Sequence, residues 1–155
     1  MNKIFFIIII LIFSSIQISS AAGYISAKNG IEWDSKNKIY IASGDVIFKN
    51  DVIEASSDKM TANYIEENQE EVFTIVEFFN DIVIYFNEEI FKGDYAIYTK
   101  SSNIIKLEGN VSIESPNRLL KGDSLIVDLN NNTRTLNANK SDSIVEALIK
   151  NDENN

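Results

Sequence analysis

The residues of this 155-residue chain best equipped for chemistry are its carboxylates, 23 Asp and Glu against 14 Lys and Arg, with no His and no Cys. Three of them recur in register. Asp58, Asp94 and Asp123 each stand fourteen residues after Gly44, Asn80 and Gly109. Paired carboxylates can serve as general acid and base, but three copies at equivalent places of a repeat are explained more simply by a shared structural duty at a corner. No catalytic residue is assigned, and the chain is read as a non-enzyme. Without imidazole or thiol there is no activated Ser or Cys nucleophile, no zinc site and no disulfide framework. Asp and Asn could ligate calcium, yet no spacing resembles an EF-hand loop, so neither a metal nor another cofactor is expected. A net charge of −9 and a pI near 4.5 argue against nucleic acid as a partner.

The elements that carry these residues are strands. A leader precedes them: Lys3 opens it, an apolar block runs from Ile4 to Phe13, and Ser19-Ser20-Ala21-Ala22 closes it. That block is short for a membrane span and suits a cleaved signal peptide over 1–22, which implies export. The rival reading is an uncleaved anchor reaching Ile18. The folded domain is expected over 23–136. Residues 137–155 read as a last strand, or as a short helix with Ser143 and Glu146 as a capping box, followed by a disordered polar tail.

Within 23–136 three units repeat: Gly44-Asp45-Val46-Ile47-Phe48, Asn80-Asp81-Ile82-Val83-Ile84 and Gly109-Asn110-Val111-Ser112-Ile113, each answered later by Ser57-Asp58, Gly93-Asp94 or Gly122-Asp123. The hydrophobic period is two. Ile105, Leu107, Val111 and Ile113 alternate with Lys106, Glu108, Asn110 and Ser112, as a strand with one apolar and one wet face requires. Carried across the repeats, the same register turns Tyr40, Val46, Phe48, Phe78, Ile82 and Ile84 inward. Past the corner the parity switches, so that Leu125 and Val127 point in, as do Met60, Ala62 and Tyr64. A switch of parity without loss of strand character is the mark of a bulge or corner, where Gly93 and Gly122 would permit the backbone. Gly44 and Gly109 would leave room for a cargo or a facing strand. Turns are expected at Asp34–Asn37, Lys49–Asp51, Asn87-Glu88, Ser101–Asn103, Pro116-Asn117 and Asn130–Asn132, and the acidic run Glu66–Glu71 reads as a solvated loop. About a dozen bent strands of this kind point to an all-β fold, a bent β-jelly roll or open, folded-over antiparallel sheet. Its many aromatic residues, Trp33, Tyr40, Phe73 and Tyr98 among them, either fill an ordinary core or line a groove that is not fully closed.

The stretches IYIASGDVIFKNDVIEASSDKMTANY and IIKLEGNVSIESPNRLLKGDSLIVDLNNN, behind a signal peptide, resemble the OstA-like family over nearly all of 24–136, with Asn80 a departure from the motif glycine. The resemblance implies a V-shaped jelly roll with an apolar interior and open ends. It also implies a periplasmic carrier of lipopolysaccharide that shields lipid A chains and joins end to end as a homo-oligomer. Its implied partners are an inner-membrane export complex and an outer-membrane assembly protein. In that role Tyr40, Val46, Phe48, Phe78, Ile82, Ile84, Ile105, Leu107, Val111, Ile113, Leu125 and Val127 would line the lipid path. The pairing edges would be Ser26–Trp33 and the last strand near Leu136 or Ile144–Ile149. A membrane-anchored relative with the same fold and a purely structural exported β-protein are the alternatives.

Overall fold

The computed structural model describes residues 23–150, so the leader lies outside the described residues. The chain forms β1 (Tyr24–Ser26), β2 (Gly30–Asp34), β3 (Ile39–Lys49), β4 (Glu54–Glu67), β5 (Glu70–Phe86), β6 (Glu89–Thr99), β7 (Ile104–Ser115), β8 (Arg118–Asp128), β9 (Thr133–Asn137) and β10 (Glu146–Ile149). Ten strands replace the dozen expected, because several are long; β5 alone runs 17 residues. They make one antiparallel sheet in which β3 to β8 follow each other in chain order. The outermost long strands are each covered by two short ones. β1 and β2 share β3, while β9 and β10 share β8.

A single line of register shifts crosses the sheet. Pairing skips at Ser43/Val46 on β3, Ser56/Lys59 on β4, Phe79/Ile82 on β5, Lys92/Tyr95 on β6 and Glu108/Val111 on β7. Along this crease the sheet folds over. One wall holds β2, β9 and the strand halves around Ala42, Met60, Phe78, Ala96, Leu107 and Leu125. The other holds β1, β10 and the halves around Phe48, Ala55, Ile84, Phe91, Ile113 and Leu120. Residues from the inner faces of both walls form one buried apolar cluster. Phe48 of one wall meets Phe73 of the other edge to face, with ring centroids 5.7 Å apart.

The crease follows one rule. On β3, β5 and β7 two successive residues take positive φ: Gly44 and Asp45, Asn80 and Asp81, Gly109 and Asn110. Those strands keep their inward parity. On β4, β6 and β8 one extra residue faces outward, so burial passes from Ala55 and Ser57 to Met60, and from Phe91 to Ala96. Asp58, Asp94 and Asp123 are that extra residue. A position forced outward on a convex ridge has no apolar partner to gain, hence its polarity. Asp94 accepts a hydrogen bond from Asn110 Nδ2 at 2.7 Å across the crease. Asp123 accepts from the backbone N–H of Asn139 at 2.7 Å and from the Ser143 hydroxyl, tying down the chain beyond β9. Those bonds, Ser143 first, hold the Asp123 carboxyl below its ordinary range. Asp58 makes no such bond among the described residues.

Several expectations need correction. The backbone freedom assigned to Gly93 and Gly122 is used instead by the residues opposite, since neither glycine has positive φ. Gly122 serves close approach: a Cβ there would come within 2.9 Å of Leu136 and 3.0 Å of the Asn137 carbonyl. At Gly44 and Gly109 the space is taken by Asn29 and Asp94 side chains, not by a cargo or facing strand. The acidic run is no loop. β4 and β5 continue through it to a two-residue turn at Asn68 and Gln69, both at positive φ, the hairpin geometry that matches strand twist. Beyond Asn137 the chain forms the strand Glu146–Ile149, and Ser143 serves Asp123 rather than capping a helix, while the polar end expected to be disordered lies, from residue 151 on, outside the described residues.

Gly109→Ala is therefore expected to destabilise more than Gly93→Ala. At Gly109, φ is +77° and a Cβ would lie 2.6 Å from Asp94 Oδ2, whereas at Gly93 the nearest atoms stand at 3.4 Å. A loss of about 1–3 kcal/mol is expected for Gly109→Ala, read as a shift of the urea midpoint. Equal midpoints for the two variants would contradict the account of the crease.

Candidate functional site

The interior between the walls is assembled from alternate residues of every long strand. Val46, Phe48, Phe78, Ile82, Ile84, Ile105, Leu107, Val111, Ile113, Leu125 and Val127 all belong to its buried cluster, none more than 4% exposed. Tyr40 packs against the cluster from its margin. Met60, Phe91 and Ala96 belong to the same lining. Phe91 is found by pairing alone, since it stands opposite Ile84 and Ile113. Through its middle this interior is closed, with the two walls in contact.

The apolar face continues outward at both edges of the sheet. Trp33 and Ile31 of β2 pair with Tyr40 and Ala42 and so share their inward face. Among the described residues nothing covers them, and Trp33 is 58% exposed. The Trp33 indole lies near-parallel to Tyr40 at 6.2 Å, and its N–H donates to the Tyr64 hydroxyl at 2.8 Å. At the opposite edge, on the other wall, Ala147 of β10 pairs with Leu120 and Ile149 with Arg118. Ile149 is 67% exposed.

Along the side where the hairpin turns meet, the walls leave a cleft of about 510 Å³. Asn50, Asp51 and Val52 line it from one wall, Val72, Phe73, Tyr98, Lys100 and Asn103 from the other. Burial, with the Asp51 charge second, raises the Tyr98 phenol above its ordinary range. Farther along, the same side is bridged. Arg134 of β9 stands opposite Val127 and Glu89 of β6 opposite Phe86, so both charges point inward. Arg134 Nε donates to Glu89 Oε2 at 2.7 Å and Nη2 lies 2.6 Å from the same oxygen. The guanidinium sits 5.8 Å from the centre of the Phe86 ring. The alternation rule contains this pair, since Arg134 shares parity with Leu136, and Glu89 with Phe91. Charge at those positions hid it from a reading that looked for apolar runs.

Among the described residues no cluster could hold a metal ion, and no helix is long and apolar enough to cross a membrane. The phenol of Tyr40 donates to Glu71 Oε2 at 2.7 Å. Burial first, and then the Glu71 carboxylate, push its pKa up to about 12. The unfolded chain would lose this proton near 10, so Tyr40 contributes stability that is present below pH 10 and lost as the pH rises toward about 12. Phenolate absorbance should rise in two stages, with Tyr40→Phe removing amplitude from the later one. Loss of amplitude near pH 10 instead would disprove the shift.

A search of curated proteins returns no match. Among solved structures the chain resembles LptH of Pseudomonas aeruginosa, described as the LptA-homologous periplasmic component of the conserved lipopolysaccharide transport device. The TM-score is 0.71 at 12% identity, covering 83% of this chain and 95% of that one. At such identity the likeness shows the fold, a bent β-jelly roll. A family model described as LptA/(LptD N-terminal domain) LPS transport protein matches residues 24–133, the repeated units and the crease included. The chain therefore belongs to the LptA-like, OstA-like family of lipopolysaccharide transport proteins.

Proposed function

We propose that this protein carries lipopolysaccharide across the periplasm, taking lipid A acyl chains between its two walls on the way to outer-membrane assembly. The observation that carries this reading is an apolar face built from every long strand and continued past both edges of the sheet, in a chain of this family. Exposing one chain of about a dozen methylenes to water costs on the order of 10 kcal/mol at ~0.8 kcal/mol per CH₂. A continuous apolar path removes that cost at each step. Because the interior is closed through its middle, acyl chains enter only as the walls part, and the cleft beside Phe73 and Tyr98 is where contact between them is already broken. The leader over 1–22, read as a cleaved signal peptide, delivers the chain to the periplasm.

The bridging role requires neighbours. Strands β1 and β2 at one edge and β9 and β10 at the other offer short, partly polar edges for strand addition. The partners at the ends are an LptC-like component of the inner-membrane export complex and an LptD-like outer-membrane assembly protein, with head-to-tail copies of this chain between them. Exposed Trp33 at one edge and Ile149 at the other would be covered in such a joint.

A second reading, a purely structural exported β-protein, draws on the closed interior. Photo-reactive residues at Leu107, Val111 and Ile113 separate the two: under the transport reading they capture lipopolysaccharide, while residues at Lys106 and Ser112 do not. Labelling at neither parity would favour the structural role. Leu107→Ala should cost about 2–5 kcal/mol, so folding is checked alongside. Assembly is tested by removing residues 138–155. The truncated protein should remain folded and no longer extend from its β8 edge in concentration-dependent scattering; rods growing from both ends would refute the edge assignment.

A further inference from the structure

The Arg134–Glu89 pair is out of place in this interior. At 18% and 17% side-chain exposure its members are the most enclosed of the five ion pairs among the described residues; the others lie between 39% and 76%. Enclosing two charges costs several kcal/mol per ion, and packed apolar residues in their place are often neutral or better for stability. Stability alone therefore does not account for a charged pair at this place on the inner face, with apolar Leu136 and Phe86 beside it.

Its geometry has three further properties. The partners come from opposite walls, 45 residues apart in sequence, at the side where the hairpin turns face each other. Arg134 also donates from Nη1 to Asn132 Oδ1 at 2.5 Å, which fixes the plane of the guanidinium. Finally, Nε and Nη2 converge on one Glu89 oxygen, Oε2. A guanidinium edge fits two parallel acceptors better than one; Glu89 offers it only one of its two oxygens here, and a phosphate can present two.

We propose that Arg134 is a seat for the phosphate of an anionic, acylated lipid at the mouth between the walls, where the phosphate exchanges for Glu89. The exchange does two things at once. It takes the headgroup charge onto a pre-oriented guanidinium beside the Phe86 ring, and it releases the one ion pair that ties wall to wall among the described residues. Acyl chains then enter between the walls that the phosphate has unlocked. This inference rests on the lipid-transport reading and specifies which part of the cargo Arg134 recognises.

The test compares full-length mature protein binding to hexa-acylated lipid A bearing both phosphates and to the same lipid enzymatically dephosphorylated. The readout is the ratio of the two affinities. Wild type should prefer the phosphorylated lipid, and Arg134→Gln should weaken that binding about tenfold, bringing the ratio close to one. Glu89→Gln should raise the ratio, because the seat no longer has a competitor. The double variant Glu89→Gln/Arg134→Gln leaves no unpaired charge, guards against misfolding, and should also show no preference. Arg134→Lys keeps the charge without the fork and should fall between. A ratio unchanged in every variant, even if both affinities move together, overturns the seat and leaves lipid transport standing. Failure of all proteins to bind either lipid overturns both. Inorganic phosphate binding as tightly as the phosphorylated lipid would mark a seat for free phosphate and overturn the assignment to a lipid.

Discussion

Everything in this molecule depends on the crease. A flat antiparallel sheet with one apolar face would have to bury that face against something else; here the sheet buries it against itself. That is possible only if the bend falls at the same level in every long strand, and the aligned register shifts at Ser43/Val46, Ser56/Lys59, Phe79/Ile82, Lys92/Tyr95 and Glu108/Val111 meet that condition. Misplacing one bulge by a residue would turn half a strand inside out. The pairing of two positive-φ residues on one strand with one extra outward residue on the next is what the repeat encodes. Its fourteen-residue spacing is the path from one such corner, around a hairpin, to the next.

Much of this was legible in the residues. The alternation from Ile105 to Ile113 gives the inner face directly, and the shift from Leu120 to Leu125 gives the change of parity at the corner. Of the fifteen residues read as inward from those patterns, Met60, Ala62 and Tyr64 included, all but Tyr40 are buried. What failed to show was which residue bears the strain. Glycine at 93 and 122 suggested a permissive backbone there, but the bends fall at Gly44-Asp45, Asn80-Asp81 and Gly109-Asn110; Asn and Asp also tolerate left-handed φ, so the middle corner carries no glycine at all. The hairpin at Asn68-Gln69 was hidden for the same reason, submerged in carboxylates. Arg134 and Glu89 were invisible for a different cause. Each looks like an ordinary surface charge until strand pairing assigns it a parity, and pairing across the fold is not a local property.

A closed interior and a carrier's task pull against each other. Apolar walls in contact are stable because they exclude water, and that same contact leaves no room for a cargo. The structure answers with unequal closure: complete around Phe48, Phe78 and Leu107, loosened beside Tyr98, and charged rather than apolar at Arg134. At such a margin water reaches a separating ion pair and another anion can stand in for the Glu89 carboxylate, an exchange that packed apolar side chains do not offer. The acidic exterior, at a net charge of −9 for the whole chain, adds a further constraint. Under the proposed transport role, an anionic lipid would be repelled by the general surface and held only where cations stand.

The order of the sheet has a consequence for how the chain reaches this form. From β3 to β8 every long strand pairs with the strand before it and the strand after it, so no pairing waits for a distant segment to return. Sandwiches and barrels with crossing connections pay a large loop-closure entropy before their sheets form; this chain can zip hairpin by hairpin and close its walls last. Its energetics then approach those of a linear array, in which each unit contributes its own term and one interface with each neighbour. A unit of strand, turn and strand can be added or lost between β3 and β8 without disturbing either edge. Length is thus a property that duplication alone can change, while the two edges keep their own strands and shape.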